Sequence, residues 1–169
     1  ATFPISVTFV ATTTSIFAKD FKSGCIVVGN DCNTYYLTCN SCPGAPPTVS
    51  TTQPLTTSVA SGSANNPVLY STITGCPNAP VTSLNLTSGL TTSMTDVTNA
   101  KVYFTTTTTF STATQFGSTI SNPGTSFTVN GSQNLPANGV GYFWLTYDIS
   151  VSAVNGNVVD GALTSADVN

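Results

Sequence analysis

One stretch near the end of the chain, residues 139–150, constrains the fold more than any other. It holds the only tryptophan of the sequence, Trp144, among three further aromatic residues. Strand side chains alternate between two faces, which here carry Val140, Tyr142, Trp144 and Thr146 on one side and Phe143, Leu145, Tyr147 and Ile149 on the other. Such a strand needs cover on both faces, or cover on one face and an aromatic interface on the other. We therefore predict that it is the central strand of a β-sandwich.

Further strand candidates recur at the spacing of an antiparallel sandwich. The predicted strands are residues 55–60, 67–74, 81–88, 100–105, 125–130, 140–150 and 157–164. Turn-forming Gly, Pro and Asn residues separate them, and no segment shows a convincing helical period. The predicted fold class is all-β, an antiparallel β-sandwich of jelly-roll or immunoglobulin-like type over residues 55–169.

The first third of the chain has a different composition. Residues 43–54 are rich in Pro and Thr and are predicted to be an extended connector. Residues 1–42 are predicted to be an N-terminal strand followed by a Cys-rich β extension. In that strand Ile5, Val7 and Phe9 share one face. It either pairs within its own sheet or inserts into a neighbouring copy, the strand-addition mode that pilins use.

The five cysteines are candidates for disulfides. They are Cys25, Cys32, Cys39, Cys42 and Cys76. A zinc site would have to be all-cysteine because the chain has no histidine, and the six-residue spacings are unlike those of common zinc ribbons. Disulfides in an oxidising compartment are favoured, although the odd count leaves the pairing open.

Ionic side chains are scarce. Only 5% of residues are charged, in three lysines and six aspartates, and Arg, Glu and His are absent. Too few cations are present to neutralise phosphates or to hold an anionic membrane surface, so nucleic-acid partners are not expected. No apolar run reaches the length of about 18 residues that a membrane span requires. Weak charge repulsion favours association with copies of the same chain. The start at Ala1 fits a mature secreted chain, placed outside the cell or at its surface.

The composition also argues against an enzyme. Without histidine, no Ser-His-Asp or Cys-His arrangement can be built. The aspartates are scattered and sit mostly at turns or strand ends, so paired-carboxylate hydrolysis is not expected either. We predict no catalytic residues and no cofactor. A weak calcium candidate remains at Asp148 and Asp160, whose alternative interpretation is two solvated acids at strand ends.

Three other kinds of site are candidates. Lys101 lies within an apolar strand and could form an isopeptide cross-link with a nearby Asn or Asp, although an edge-strand lysine more commonly discourages aggregation. Asn85 and Asn130 match the acceptor pattern for N-glycosylation. An aromatic set could stack on sugar rings, with core packing as its alternative use; its members are Tyr103, Tyr142, Trp144 and Tyr147.

From residue 67 onward the chain resembles a known family. The matching segments are residues 80–86, 95–103, 110–117, 126–133, 141–149, which reads Gly-Tyr-Phe-Trp-Leu-Thr-Tyr-Asp-Ile, and 156–160. This pattern is similar to the β-sandwich domain that precedes the propeller in bacterial BNR/Asp-box sialidases and to related domains of Bacteroidetes surface proteins. The resemblance implies an exported β-sandwich. It does not imply sialidase activity, which relies on arginines and a glutamate that this chain lacks.

Two functions are compatible with these features. The first is a structural subunit of an extracellular filament or surface assembly, similar to a pilus, in which copies associate by strand addition or sheet-edge contacts. The second is a carbohydrate-binding or adhesive module of a secreted glycan-active protein. Filaments or large assemblies would favour the first, whereas a monomer that binds glycans would favour the second.

Overall fold

The computed structural model describes residues 46–55 and 57–169, which form two antiparallel sheets packed against each other. This confirms the predicted all-β sandwich. The described part contains eight strands: β1 (Thr48–Thr52), β2 (Asn66–Thr74), β3 (Pro80–Thr87), β4 (Val97–Thr105), β5 (Gln115–Ser121), β6 (Ser126–Asn134), β7 (Val140–Ile149) and β8 (Ala162–Val168). A 3₁₀ turn, Met94–Asp96, leads into β4.

Strand β7 lies at the middle of the larger sheet, as predicted. The five-stranded sheet has the order β1-β2-β7-β4-β5, and the three-stranded sheet has the order β6-β3-β8. β7 pairs with β2 on one side and with β4 on the other along most of its length. Its backbone is therefore hydrogen-bonded on both edges, which suits a strand that is apolar on both faces.

The core lies between the two sheets. From β7 it takes Phe143, Leu145, Tyr147 and Ile149, the face predicted from the alternation. The smaller sheet contributes buried apolar side chains from its central strand, namely Val81, Leu84 and Leu86. Full burial of each large apolar side chain stabilises the fold by about 1.5–3 kcal/mol, so this layer accounts for most of the driving force.

One side of the sandwich is closed by β5 packing against β6. Gly117 in β5 has a φ of +68°, and a Cβ at this position would lie 2.3 Å from the carbonyl oxygen of Asn130. Only glycine combines that backbone conformation with so close an approach. The close contact joins the edge of the larger sheet to the edge of the smaller one.

Several predicted strand boundaries were wrong. Residues 48–52, within the predicted connector, form edge strand β1, whereas residues 55 and 57–60 form no strand. β5 was missed because only Phe116 and Ile120 of its seven residues are apolar, too few to show alternation. The last strand begins at Ala162 rather than at residue 157, because residues 157–161 form a loop held by Asp160.

The predicted N-terminal strand and Cys-rich extension, residues 1–42, lie outside the described residues. Ile5, Val7 and Phe9 are therefore not placed, nor are Cys25, Cys32, Cys39 and Cys42. Within residues 46–55 and 57–169, no helix has the length and apolar character needed to cross a membrane.

Candidate functional site

The outer face of the five-stranded sheet, which points away from the core, carries a layer of aromatic side chains. The loop of residues 106–114 between β4 and β5 folds over part of this layer. Phe110 of the loop lies 5.5 Å from the ring of Trp144 and 5.9 Å from the ring of Tyr103, between centroids. Trp144 is consequently only 3% exposed and Tyr103 only 6% exposed. The second face of β7 is thus covered by a loop rather than by another sheet.

A hydrogen bond fixes the covered tryptophan. The indole nitrogen of Trp144 donates to Oγ1 of Thr105 at 2.8 Å. The same hydroxyl donates to the backbone carbonyl of Thr107 at 2.6 Å, which ties the start of the loop to the sheet. A buried indole N–H without an acceptor is costly, so Thr105 both satisfies Trp144 and positions its cover.

Beyond the loop, the aromatic layer is partly open. Tyr70 of β2 and Tyr142 of β7 are half-buried, and their rings meet edge to face with centroids 6.3 Å apart. Tyr70 also lies 4.6 Å from the ring of Trp144. These two tyrosines present aromatic surface to solvent on a rigid sheet.

The four predicted glycan-stacking residues do not form one open surface. Tyr103, Tyr142 and Trp144 lie together on the outer face, but only Tyr142 is half-exposed. Tyr147 lies on the opposite face, fully buried in the core. Its hydroxyl has no hydrogen-bond partner among the described residues. Burial, with a smaller contribution from the negative charge of Asp160, raises the pKa of Tyr147 far above its usual value. The core disfavours the charged phenolate, so the Tyr147 side chain is a neutral phenol that packs in the core.

A polar cluster adjoins the aromatic layer at the end of the sheet where β2 begins. The Nζ atom of Lys101 in β4 lies 2.6 Å from Oδ2 of Asp148 in β7 and 3.0 Å from Oδ1 of Asn65. Asn65 precedes β2 and also receives a hydrogen bond on Oδ1 from the hydroxyl of Tyr103, at 3.0 Å. The backbone N–H of Asn65 donates to Oδ1 of Asp148 at 2.8 Å. We call Asn65, Lys101, Tyr103 and Asp148 the cross-strand cluster.

Asp148 is held as a carboxylate in this cluster. Burial by itself raises the pKa of Asp148, but hydrogen bonds from Lys101, the backbone of Asn65 and the amide of Asn99 outweigh it, so the pKa lies below its usual value. Lys101 does not occupy an edge strand, since β4 lies between β7 and β5. The aggregation-blocking role considered for this lysine therefore does not apply.

The two aspartates of the calcium candidate have separate partners. Asp160 accepts the backbone N–H of Leu90 at 2.8 Å and a hydrogen bond from the amide of Gln53. Among the described residues, neither the Leu90 backbone N–H nor the Gln53 amide donates a hydrogen bond to Asp148. That part of the chain contains no group of three or more His, Cys, Asp or Glu side chains that could hold a metal. Asp160 acts instead as a loop anchor.

Among residues 46–55 and 57–169, strand β1 forms one edge of the larger sheet. All five of its residues are exposed, and none is charged. Its pairing with β2 runs from Thr48↔Thr74 to Thr52↔Tyr70 with no register shift. Natural sheets usually protect such an edge with lysine, proline or a bulge, and β1 contains none of these devices.

The remaining predicted sites are on the smaller sheet or next to it. Asn130 is exposed on edge strand β6, whereas Asn85 on central strand β3 is partly buried. The Asn85 amide nitrogen donates to Oγ of Ser165 at 2.9 Å and its Oδ1 accepts from Thr128 at 2.6 Å, so a glycan on Nδ2 would crowd the contact with Ser165. Cys76 is half-buried and packs against the core.

The sequence interpretation missed four residues that build this face. Asn65 and Tyr70 lie in or next to β2, and Thr105 and Phe110 lie at the β4–β5 loop. Their roles depend on partners 34–83 positions away in the chain, for which local periodicity provides no signal. The doublet Asn65-Asn66 before Pro67 is a signal typical of a turn, but it does not identify the partners of that turn.

No family model and no curated protein matches this chain. The similarity to the sialidase-associated domain therefore stays a prediction that rests on the residues quoted for it.

Proposed function

We propose that this chain is a non-enzymatic structural subunit of an extracellular filament or surface assembly, in which copies associate through sheet edges. The observation that carries the proposal is the exposed, uncharged and regular edge of β1. A second strand can continue the hydrogen-bond ladder of such an edge, as in recognition by β-augmentation.

The charge distribution supports this interpretation. The described residues include one lysine, Lys101, and it is engaged with Asp148. Asp96 is buried, with its carboxylate bonded to Asn157 and to the backbone of Val154. Among the described residues, Asp160 and Asp167 are the remaining charged side chains, so little ionic charge is left there to repel a second copy.

Two partners for the β1 edge are compatible with the sequence. One is β1 of a second copy, which would give a symmetric dimer of sheets. The other is residues 4–10 of a neighbour, the strand predicted from sequence, which would give a head-to-tail polymer. Deletion of residues 1–12 separates them, because the polymer would be lost and the symmetric dimer would survive.

The edge itself is tested by paired lysine substitutions. Thr48→Lys with Thr51→Lys places one charge on each face of β1, since the positions differ by an odd number. Thr106→Lys with Thr108→Lys makes the same change on the exposed β4–β5 loop and serves as the control. Negative-stain microscopy and size-exclusion chromatography should show assemblies for the natural chain and the control, and dispersed protein for the β1 variant. A natural chain that stays monomeric at high concentration, or equal loss in both variants, would contradict the proposal.

A second function, binding of carbohydrate, is favoured by one observation. The half-exposed rings of Tyr70 and Tyr142 form a rigid aromatic surface on which the face of a sugar could stack. A monodisperse chain that binds glycans on an array, and loses that binding on Tyr142→Ala, would support this alternative over assembly. Thr72→Ala, a small change in neighbouring β2, is the control.

A further inference from the structure

The cross-strand cluster places an amine, a side-chain amide and a carboxylate in mutual contact. The Lys101 amine lies 3.0 Å from the amide oxygen of Asn65 and 2.6 Å from the Asp148 carboxylate. The three residues belong to β4, to the turn before β2 and to β7. Side-chain exposure is 17% for Lys101 and 13% for Asp148, so bulk water has limited access.

This geometry points to a covalent isopeptide bond between Nζ of Lys101 and Cγ of Asn65, formed within the folded chain. The bonds Nζ–Cγ and Nδ2–H form, one Nζ–H bond and the bond Cγ–Nδ2 break, and the amide nitrogen leaves as ammonia with the hydrogen that Nζ gives up. Lys101 starts as an ammonium, and the released ammonia departs with that proton as ammonium. The exchange of one amide for another involves no oxidation and needs no co-reactant.

Asp148 is positioned to move the proton. Its Oδ2 atom accepts the hydrogen bond from Nζ, so it can take a proton from the lysine and produce the neutral, nucleophilic amine. It can then pass that proton to the departing nitrogen of Asn65. Asp148 is unchanged at the end of the reaction.

Tyr103 is positioned to activate the amide. Its hydroxyl donates to Oδ1 of Asn65 at 3.0 Å, on the atom where negative charge develops when the amine attacks. A preorganised donor at this atom lowers the barrier in the manner of an oxyanion hole.

The turn at Asn65 holds the amide in place. Asn65 has a φ of +56°, and its backbone N–H is bonded to Oδ1 of Asp148 at 2.8 Å. Because the fold already holds the reacting groups in contact, the reaction avoids the entropy loss of a bimolecular encounter, which is a large part of the barrier to amide exchange. The resulting bond would link the start of β2 to β4 across β7. The test of this bond is independent of the proposed assembly, because the bond changes the mass of the chain whereas assembly is detected by microscopy.

Intact-mass measurement of the full, purified chain tests the bond. We expect a mass below the calculated value by one ammonia molecule, beyond any loss of hydrogen through disulfides. Trypsin cuts after unmodified lysine, and a linked Lys101 resists it. Digestion of the denatured, reduced chain should therefore leave residues 23–169 as one fragment. The full calculated mass together with cleavage after Lys101 would overturn the proposal.

Two variants exclude another source of ammonia loss, the cyclisation of Asn residues that precede glycine, such as Asn130. Lys101→Arg keeps the positive charge but removes the primary amine. Asn65→Gly removes the amide while tolerating the positive φ. Both variants should have the full calculated mass, and Asn65→Gly should be cut after Lys101. Loss of ammonia that persists in Lys101→Arg would refute the assignment, and the denatured-mass readout holds even if a variant folds poorly.

Discussion

The hydrogen bond between Trp144 and Thr105 can be tested with one substitution. Thr105→Val removes the acceptor of the indole N–H and keeps nearly the same side-chain shape. Trp144 is 3% exposed and Thr105 is 9% exposed, so water cannot easily replace the lost partner. A buried donor left unsatisfied costs about 1–3 kcal/mol, and we expect the free energy of unfolding to fall by that amount. The lost bond to the carbonyl of Thr107 adds little, because Thr107 is exposed.

Thr105→Ser is the matched control. It keeps the hydroxyl and removes one methyl group, which corresponds to a loss of about 0.8 kcal/mol before any cavity cost. Urea unfolding, followed by the fluorescence of the single tryptophan at a concentration where the chain is dispersed, measures both variants. Equal stabilities for Thr105→Val and Thr105→Ser would show that the indole bond does not support the loop cover.

The remaining predictions concern one close contact and one buried hydroxyl. Gly117→Ala should lower the free energy of unfolding by about 2–5 kcal/mol, because a left-handed residue costs about 1–2 kcal/mol and the clash with the Asn130 carbonyl adds about 1–3 kcal/mol. Gly156→Ala is the control and should lose only the cost of the left-handed conformation, since its φ is +94° but no atom lies within 4 Å of the added Cβ. Similar losses of stability for the two variants in denaturant titrations would show that the β5–β6 contact can relax. Tyr147→Phe should leave the stability unchanged or raise it by up to about 1–3 kcal/mol, because it removes a buried hydroxyl that has no partner among the described residues. A clear loss of stability in thermal melts of Tyr147→Phe would instead indicate a hydrogen bond to this hydroxyl.

The two proposals address different properties of the same fold. The proposed assembly would depend on a surface with little charge, and the proposed cross-link on the few charges that the described residues retain. Lys101 and Asp148 are nearly buried against each other in a chain of very low charge, which is costly unless the groups are fully bonded. Their joint contact with Asn65 supplies such bonds and also creates the reactive arrangement.

The strands that could be predicted from sequence are those with regular alternation of apolar and polar residues. β7 was assigned to the centre of the sheet because both of its faces carry apolar side chains that must be buried. One face carries Phe143, Leu145, Tyr147 and Ile149, and the other carries Trp144. β1 and β5 were missed because exposed strands of Thr, Ser and Gly lack that alternation. Their pairing is decided by the neighbouring strand and not by their own side chains.

The amino-acid sequence by itself determined the class of fold and the scarcity of charge, because both follow from composition and from a period of two. Only the tertiary structure decided which residues meet. Asn65, Lys101 and Asp148 are far apart in the chain, and the β2-β7-β4 order brings them within hydrogen-bond distance. Likewise, Phe110 covers Trp144 because of the conformation of a loop. Contacts of this kind depend on strand order and register, which local residue patterns do not encode.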